Sequence, residues 1–123
     1  MDWKHLYLGL HGRIGRQSFW IGLLVMLVVS WVIFFIDMNF FPTVIELDPA
    51  TGLGYGPLTL LTMLATIYPA IALYAKRWHD RNKSGWWSLI ILVPFVGVIW
   101  FLVELGFLRG TAGANHYGPD PLG

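Results

Sequence analysis

The sequence predicts an all-α, polytopic membrane protein with three transmembrane helices. Hydrophobic residues make up 56 % of its 123 residues and charged residues only 12 %, against about 25 % charged in an ordinary soluble domain. The apolar residues gather into three long runs, at 19–36, 57–75 and 86–108. Seven of the eight Lys and Arg residues lie in two short stretches, one before the first run and one after the second.

The first run, FWIGLLVMLVVSWVIFFI, has no charge. As a helix it would be about 27 Å long, close to a hydrocarbon core of roughly 30 Å. Eighteen residues precede it, Arg13 and Arg16 lie near its start, and no small-residue cleavage site follows. The expectation is a retained helix and not a cleaved signal. Ahead of it, Trp3, Leu6, Tyr7 and Leu10 recur at helical spacing, which predicts a short interfacial helix.

The second run, PLTLLTMLATIYPAIALYA, opens on Pro57, suited to a first helical turn. Pro69 lies inside it and predicts a kink. Thr62, Ala65 and Thr66 make a small-residue packing face. The third run, WWSLIILVPFVGVIWFLVELGFL, is about 34 Å as a straight helix. Its simplest reading is one kinked span. The alternative is a segment broken or re-entrant at Pro94–Gly97, with its freed backbone groups buried in protein. Between the first two runs, residues 42–57 are rich in turn residues, consistent with an ordered loop or a short extracytoplasmic hairpin. The turn-rich tail, 109–123, closes what reads as one integral-membrane domain over 1–123.

Charge predicts the orientation. Lys4, Arg13, Arg16, Lys76, Arg77, Arg81 and Lys83 lie on one side of a three-span path and Arg109 on the other. The positive-inside rule then puts the N-terminus and residues 76–85 in the cytoplasm of a bacterial inner membrane. A three-span count sends the C-terminus outside.

The stretch KRWHDRNKSGWW, residues 76–87, holds most of the polar chemistry. Lys76, Arg77, Arg81 and Lys83, with Arg13 and Arg16 of GRIGRQSFW, form a basic belt suited to anionic phospholipid. Trp78, Trp86 and Trp87 suit the headgroup boundary. His79 and Asp80 are the weak catalytic candidates, but neighbours in a helix do not share a face. Arg13 and Arg16 could pair with Asp80. Glu104 is the only formal charge in the third run and reads as polar anchoring or helix packing, with proton or substrate coupling as the sharper alternative. The four histidines have no metal-ligand spacing, no glycine pattern follows a strand, and a net charge of +1 gives no broad basic field for nucleic acid. No cofactor is expected. The absence of cysteine excludes disulfides and thiolate chemistry.

Four pieces in this order, GRIGRQSFW, RWHDRNKSGWW, LVPFVG and NHYGPDP, resemble the DUF805 family of small bacterial inner-membrane proteins. Arg13, Arg16, Arg77, His79, Asp80, Gly85, Trp86, Asn115, Gly118, Asp120 and Pro121 match its recognisable positions, with Tyr117 inside the last motif. The resemblance implies a shared structural or binding site without naming a reaction. It also implies a cluster of Arg13/Arg16, His79/Asp80 and Asn115/Asp120 on one side, which a three-span path does not allow. The functional expectation is a structural, accessory or lipid-associated membrane protein, with anionic phospholipid as partner and a homo-oligomer or another membrane subunit as further partners. The alternatives are a small oligomeric transporter or channel component, built on Pro69, Pro94 and Glu104, and a lipid-headgroup-modifying enzyme using His79 and Asp80.

Overall fold

A computed structural model describes residues 2–122. Met1 and Gly123, the extremes of the predicted domain and tail, lie outside the described residues. The chain forms two compact units, one from residues up to Leu23 together with Tyr68 onward, the other from Leu24–Ile67.

The first helix, α1 (Trp3–Leu8), starts because the Asp2 side chain accepts from the His5 N–H at 3.1 Å. The long α2 (Arg16–Phe40) then runs for 25 residues, about 37 Å. It overruns the predicted 19–36 at both ends, since Arg16 and Asp37 each find partners within their own units.

In the second unit the chain is not all helical. Strands β1 (Ile45–Asp48) and β2 (Leu53–Tyr55) pair antiparallel, with Ile45 opposite Tyr55. The fold is therefore mostly helical with a small two-stranded sheet, a correction to the all-α expectation. Its turn is built by Asp48, which accepts from the Ala50 N–H (3.1 Å) and the Thr51 hydroxyl (2.9 Å), and by Gly52 at φ +70°. Helix α3 (Pro57–Ala65) follows, with Pro57 in its first turn. The buried Asp37 carboxylate caps it, accepting from Leu58 N–H (3.2 Å) and Thr59 N–H (2.5 Å). Asp37→Ala orphans both donors and is expected to cost about 1 kcal/mol, read as a lowered thermal midpoint in detergent. Thr62 and Thr66 return their hydroxyls to the carbonyls of Leu58 and Met63.

Helix α4 (Ile67–Asp80) begins after a one-residue interruption at Thr66. Pro69 explains it, because its ring displaces the carbonyl four residues earlier, that of Ala65. The helix continues five residues beyond the predicted boundary at 75. Lys76, Arg77 and Asp80 are buried there, within a stretch that the sequence predicts as a cytoplasmic connection with Lys76 and Arg77 in a lipid-facing basic belt.

The third run is not one helix. A 3-10 helix covers Gly85–Leu92, then α5 covers Val96–Leu102 and a π-helical turn covers Val103–Phe107. Between them, Phe95 sits at φ +63°, ψ −67°, and the Val96 N–H donates to the Pro94 carbonyl at 2.7 Å, a γ-turn. The chain reverses there. Lys83 Nζ lies 2.7 Å from a Glu104 carboxylate oxygen, so the beginning and end of the segment meet. Pro94 supplies no N–H and disfavours helix in the residue before it. Gly97 lets the two arms touch, since a Cβ there would run into the Ile90 carbonyl. The segment breaks within the Pro94–Gly97 stretch named in the alternative reading.

The polarity of the fold is inverted relative to a soluble protein. Phe95 is 84 % exposed and Trp86 78 %, while Arg77 and Lys76 are 0 % exposed. Large apolar exposure of this kind marks a surface that meets a membrane or another protein. The first unit's core is built from Leu6, Phe19, Leu73, Trp78, Phe101 and Leu105.

Candidate functional site: a buried ionic cluster

Arg77 and Asp80 lie three residues apart on the last turn of α4 and face the same way. Arg77 reaches one carboxylate oxygen of Asp80 at 2.7 Å, and Arg13, just ahead of α2, reaches the other at 2.9 Å. All three residues are buried. Two cations on one buried anion would be unstable by themselves, because desolvation outweighs the attraction unless the remaining donors are satisfied. They are satisfied by backbone. Arg13 donates to the carbonyls of Thr111 (2.5 Å), Gly113 (2.6 Å) and Gly118 (3.2 Å). Arg77 donates to Leu105 (2.6 Å) and to Leu108. The Thr111 N–H closes the ring by donating to the Asp80 backbone carbonyl at 2.6 Å.

His79 turns away from Asp80, as helix geometry requires. Its Nδ1 lies 2.9 Å from the Gly12 carbonyl, which can only accept, so the proton sits on Nδ1. Its ring stacks on Tyr117 with centroids 4.0 Å apart and planes 3° apart. Asn115 donates to the His79 carbonyl at 2.9 Å and accepts the Tyr117 N–H at 2.8 Å. Asn115 and Gly118 exchange backbone hydrogen bonds of 3.0 and 3.2 Å, with Gly118 at φ +135°. Asp120 accepts from the Leu122 and Gly113 N–H groups, at 2.9 and 3.0 Å. Pro121 is exposed. The tail is thus a folded strap against Arg13, His79 and Asp80. The three-span count expects it across the membrane from residues 76–85, whereas it is hydrogen-bonded to His79 and Asp80. The carbonyls of an irregular tail need donors, and the buried guanidiniums supply them.

The N–H groups of Leu122, first, and Gly113 hold the Asp120 carboxyl below the usual carboxylate range. A lowered folded value means the stabilisation is present above the ordinary range and is lost as pH falls through the lowered one. Hydrogen exchange of the Gly113 and Leu122 amides is expected to accelerate as pH falls into that acid window, beyond the chemical pH dependence. Asp120→Asn should flatten the effect.

Among the described residues Lys76 pairs with no carboxylate. Its Nζ caps the end of α1, donating to the carbonyls of His5 (2.5 Å), Leu6 (2.7 Å) and Gly9 (2.5 Å), where the helix dipole favours a cation. Glu104 centres a second cluster. It accepts from Lys83 (2.9 Å) and Trp100 Nε1 (2.9 Å), with Arg81 at 3.5 Å. Lys83 also lies 5.0 Å from the Trp87 ring centroid and 5.8 Å from that of Trp78. Arg16, Trp86 and Trp87 are exposed, and Arg81 and Lys83 partly so. Arg13, Lys76, Arg77, Trp78 and Asp80 face inward.

The sequence reading did not foresee the largest class of partners, the carbonyls of Gly12, Leu105, Thr111, Gly113 and Gly118. Backbone acceptors leave no residue signature. It did not assign Asp37 a role either, although a lone carboxylate ending an apolar run, with Gly-Pro opening the next helix, is a legible capping signal.

Arg13, Arg77, Asp80 and the carbonyls that Arg13 and Arg77 hold lie within residues 7–119, which match the family model described as "Protein of unknown function (DUF805)". The chain belongs to the DUF805 family. Among its relatives, the inner membrane protein YhaI of Escherichia coli (strain K12) is 37 % identical over 116 residues, covering 94 % of this chain and 87 % of the relative. The inner membrane protein YhaH of the same strain is 34 % identical over 125 residues, covering 98 % and 97 %. The uncharacterized protein YiiR of that strain is 25 % identical over 133 residues, covering 89 % and 83 %. No solved structure matches the chain. Two relatives named as inner membrane proteins, together with helical stretches Arg16–Phe40 and Pro57–Asp80 long and apolar enough to cross a bilayer, mark this DUF805 chain as a membrane protein.

Proposed function

We propose that the chain is a structural or accessory protein of the bacterial inner membrane, associated with anionic phospholipid. Two segments, α2 and α3–α4, cross the bilayer. Residues 84–108 dip into it and return, and the N-terminus, residues 76–85 and the tail lie on the cytoplasmic side. Arm length favours this path: the 3-10 arm has eight residues, roughly 16 Å, about half of a hydrocarbon core. The connection 41–56, which carries no Lys or Arg, lies outside.

One observation carries the non-catalytic reading. Arg13, Arg77, Asp80, His79 and Asn115, five of the polar side chains at positions that match the family, all spend hydrogen bonds on this chain itself. Both Asp80 oxygens are engaged and His79 points to a different partner, which argues against a shared proton-transfer pair. The cations left for lipid are Lys4, Arg16, Arg81, Lys83 and Arg109, with Trp3, Trp86 and Trp87 at their level. A homo-oligomer or a second membrane subunit would cover part of the same apolar exterior.

The chain has no cysteine, so single-cysteine labelling is direct. Cysteines at Lys4 and Ala114 should be shielded from a membrane-impermeant maleimide in intact spheroplasts and labelled after lysis. A cysteine at Thr51 should be labelled in both. Labelling at Ala114 in intact spheroplasts would reject the proposed path. Neutralising all five cations should lower phosphatidylglycerol co-purification, and unchanged retention would reject the lipid association.

A further inference from the structure

Three consecutive carbonyls, from the last residue of the π-helical turn onward, are held by three arginines: Phe107 by Arg16 at 2.8 Å, Leu108 by Arg77, and Arg109 by Arg81 at 2.5 Å. Arg77 is buried against Asp80, whereas Arg16 is exposed and the Arg81 side chain is 27 % exposed. Positive charge is in excess here. Arg81 shares the single carboxylate of Glu104 with Lys83, and among the described residues no carboxylate lies within ion-pair distance of Arg16 or Arg109. Only one Arg16 nitrogen has a partner among the described residues, which leaves the rest of its guanidinium fork open.

Directly below this charge lies an apolar ledge. Trp20 is four residues after Arg16, hence on the same face of α2 one turn further along. Its indole N–H donates to the Gly106 carbonyl at 2.8 Å, and its ring rests where a Cβ of Gly106 would collide with it. The Phe107 ring stands 5.8 Å from the Trp20 ring, and Phe107 is 62 % exposed. Both aromatic faces are anchored through backbone and still open outward.

We infer that this ledge is a binding site for one anionic phospholipid. Arg16 takes the phosphate, Arg81 supplies a second guanidinium, and an acyl chain lies along Trp20 and Phe107. Planar guanidinium forks match phosphate oxygens, and two of them gripping backbone two residues apart are already oriented without further side-chain ordering. The aromatic pair makes a lipid a better occupant than a free phosphate, because an inorganic ion leaves Trp20 and Phe107 unused. The proposal rests on the lipid-association reading above, and narrows it to one place.

Purified protein in phosphatidylcholine nanodiscs with or without phosphatidylglycerol, whose anionic headgroup attracts basic side chains at the membrane surface, supplies the test. Native mass spectrometry of protein released from the anionic discs should show one retained phosphatidylglycerol. Arg16→Gln and Arg81→Gln are each expected to reduce it about five- to tenfold, while Glu46→Gln, on the exposed strand β1, leaves it unchanged. Circular dichroism verifies that each variant is folded. Because Arg16 also holds a carbonyl, Arg16→Lys gives a second reading, keeping the charge and losing the fork, with an expected partial loss. Brominated phosphatidylglycerol should quench wild-type fluorescence more than that of Trp20→Phe. Retention unchanged in Arg16→Gln, or lost equally in Glu46→Gln, overturns the site. If only five-cation neutralisation lowers retention, the site falls and the general lipid association stands. Protection of Arg16 from phenylglyoxal by inorganic phosphate as strong as that by anionic discs would overturn the lipid assignment.

Discussion

Replacing Asp80 by alanine is expected to cost about 3–5 kcal/mol, because it leaves buried positive charge without its counterion. Arg13 and Arg77 meet only at this carboxylate, at 2.9 and 2.7 Å, and neither side chain reaches solvent. Removing the anion leaves two guanidiniums repelling each other in a medium that screens them poorly. A loss on this scale is a large part of the stability of a single domain. Thermal unfolding in detergent, followed by circular dichroism, should show a sharply lowered midpoint or no folded monomer. Asp80→Asn keeps one oxygen acceptor and should fall between. Adding Arg77→Met to Asp80→Ala removes one stranded charge but abandons the carbonyls of Leu105 and Leu108, so recovery should be partial. A midpoint for Asp80→Ala equal to wild type would mean that the cluster does not hold the tail in place.

Gly97→Leu should open the hairpin. A Cβ at Gly97 would strike the Ile90 carbonyl, and backbone cannot rotate aside as a side chain can. Forcing added carbon into a packed contact costs about 1–3 kcal/mol, and here the strain falls beside a γ-turn on a non-glycine residue, Phe95, itself a rare conformation. Separation of the arms would also pull Glu104 from Lys83, now 2.7 Å apart. The expected result is faster hydrogen exchange across 96–107 together with a lower thermal midpoint. Gly97→Ala should show a smaller effect. Val98→Ala, at an exposed position, should show almost none.

Much of this fold could be read along the chain. The uncharged run from Phe19 predicted the heart of α2, the spacing of Trp3, Leu6, Tyr7 and Leu10 predicted a short helix that ends at Leu8, and Pro69 predicted a kink where the chain interrupts the helix at Thr66. These are local effects: hydrophobic length, helical period and a missing N–H act on residues within a turn or two. The site was legible only in part. The resemblance pointed to Arg13, Arg16, His79, Asp80, Asn115 and Asp120 together. Arg13 bonds Asp80 and Asn115 bonds the His79 carbonyl, while Arg16 holds the Phe107 carbonyl and Asp120 the Gly113 N–H. Their partners were hidden because a carbonyl oxygen is the same in every residue, so nothing in the letters T, G or L at 111, 113 and 105 marks an acceptor for arginine.

The distribution of charge along the chain misled for a related reason. Lys76 and Arg77 read as the end of a span because a solvated cation belongs at an interface. They continue the helix because the His5, Leu6 and Gly9 carbonyls receive one of them and Asp80, Leu105 and Leu108 receive the other. Likewise, residues 86–108 are long enough to span, and length alone cannot separate a span from a hairpin that folds back on itself.

By itself the sequence determined that this chain lives in lipid, where its long helices lie and which stretches are basic, because hydrophobicity and local backbone preference are properties of neighbouring residues. Only the tertiary structure decided that the third segment reverses at Pro94–Phe95 and that the tail is bound beside Asp80. Those outcomes depend on which distant donor meets which carbonyl once water is excluded, a pairing across as many as 105 positions, as between Arg13 and Gly118.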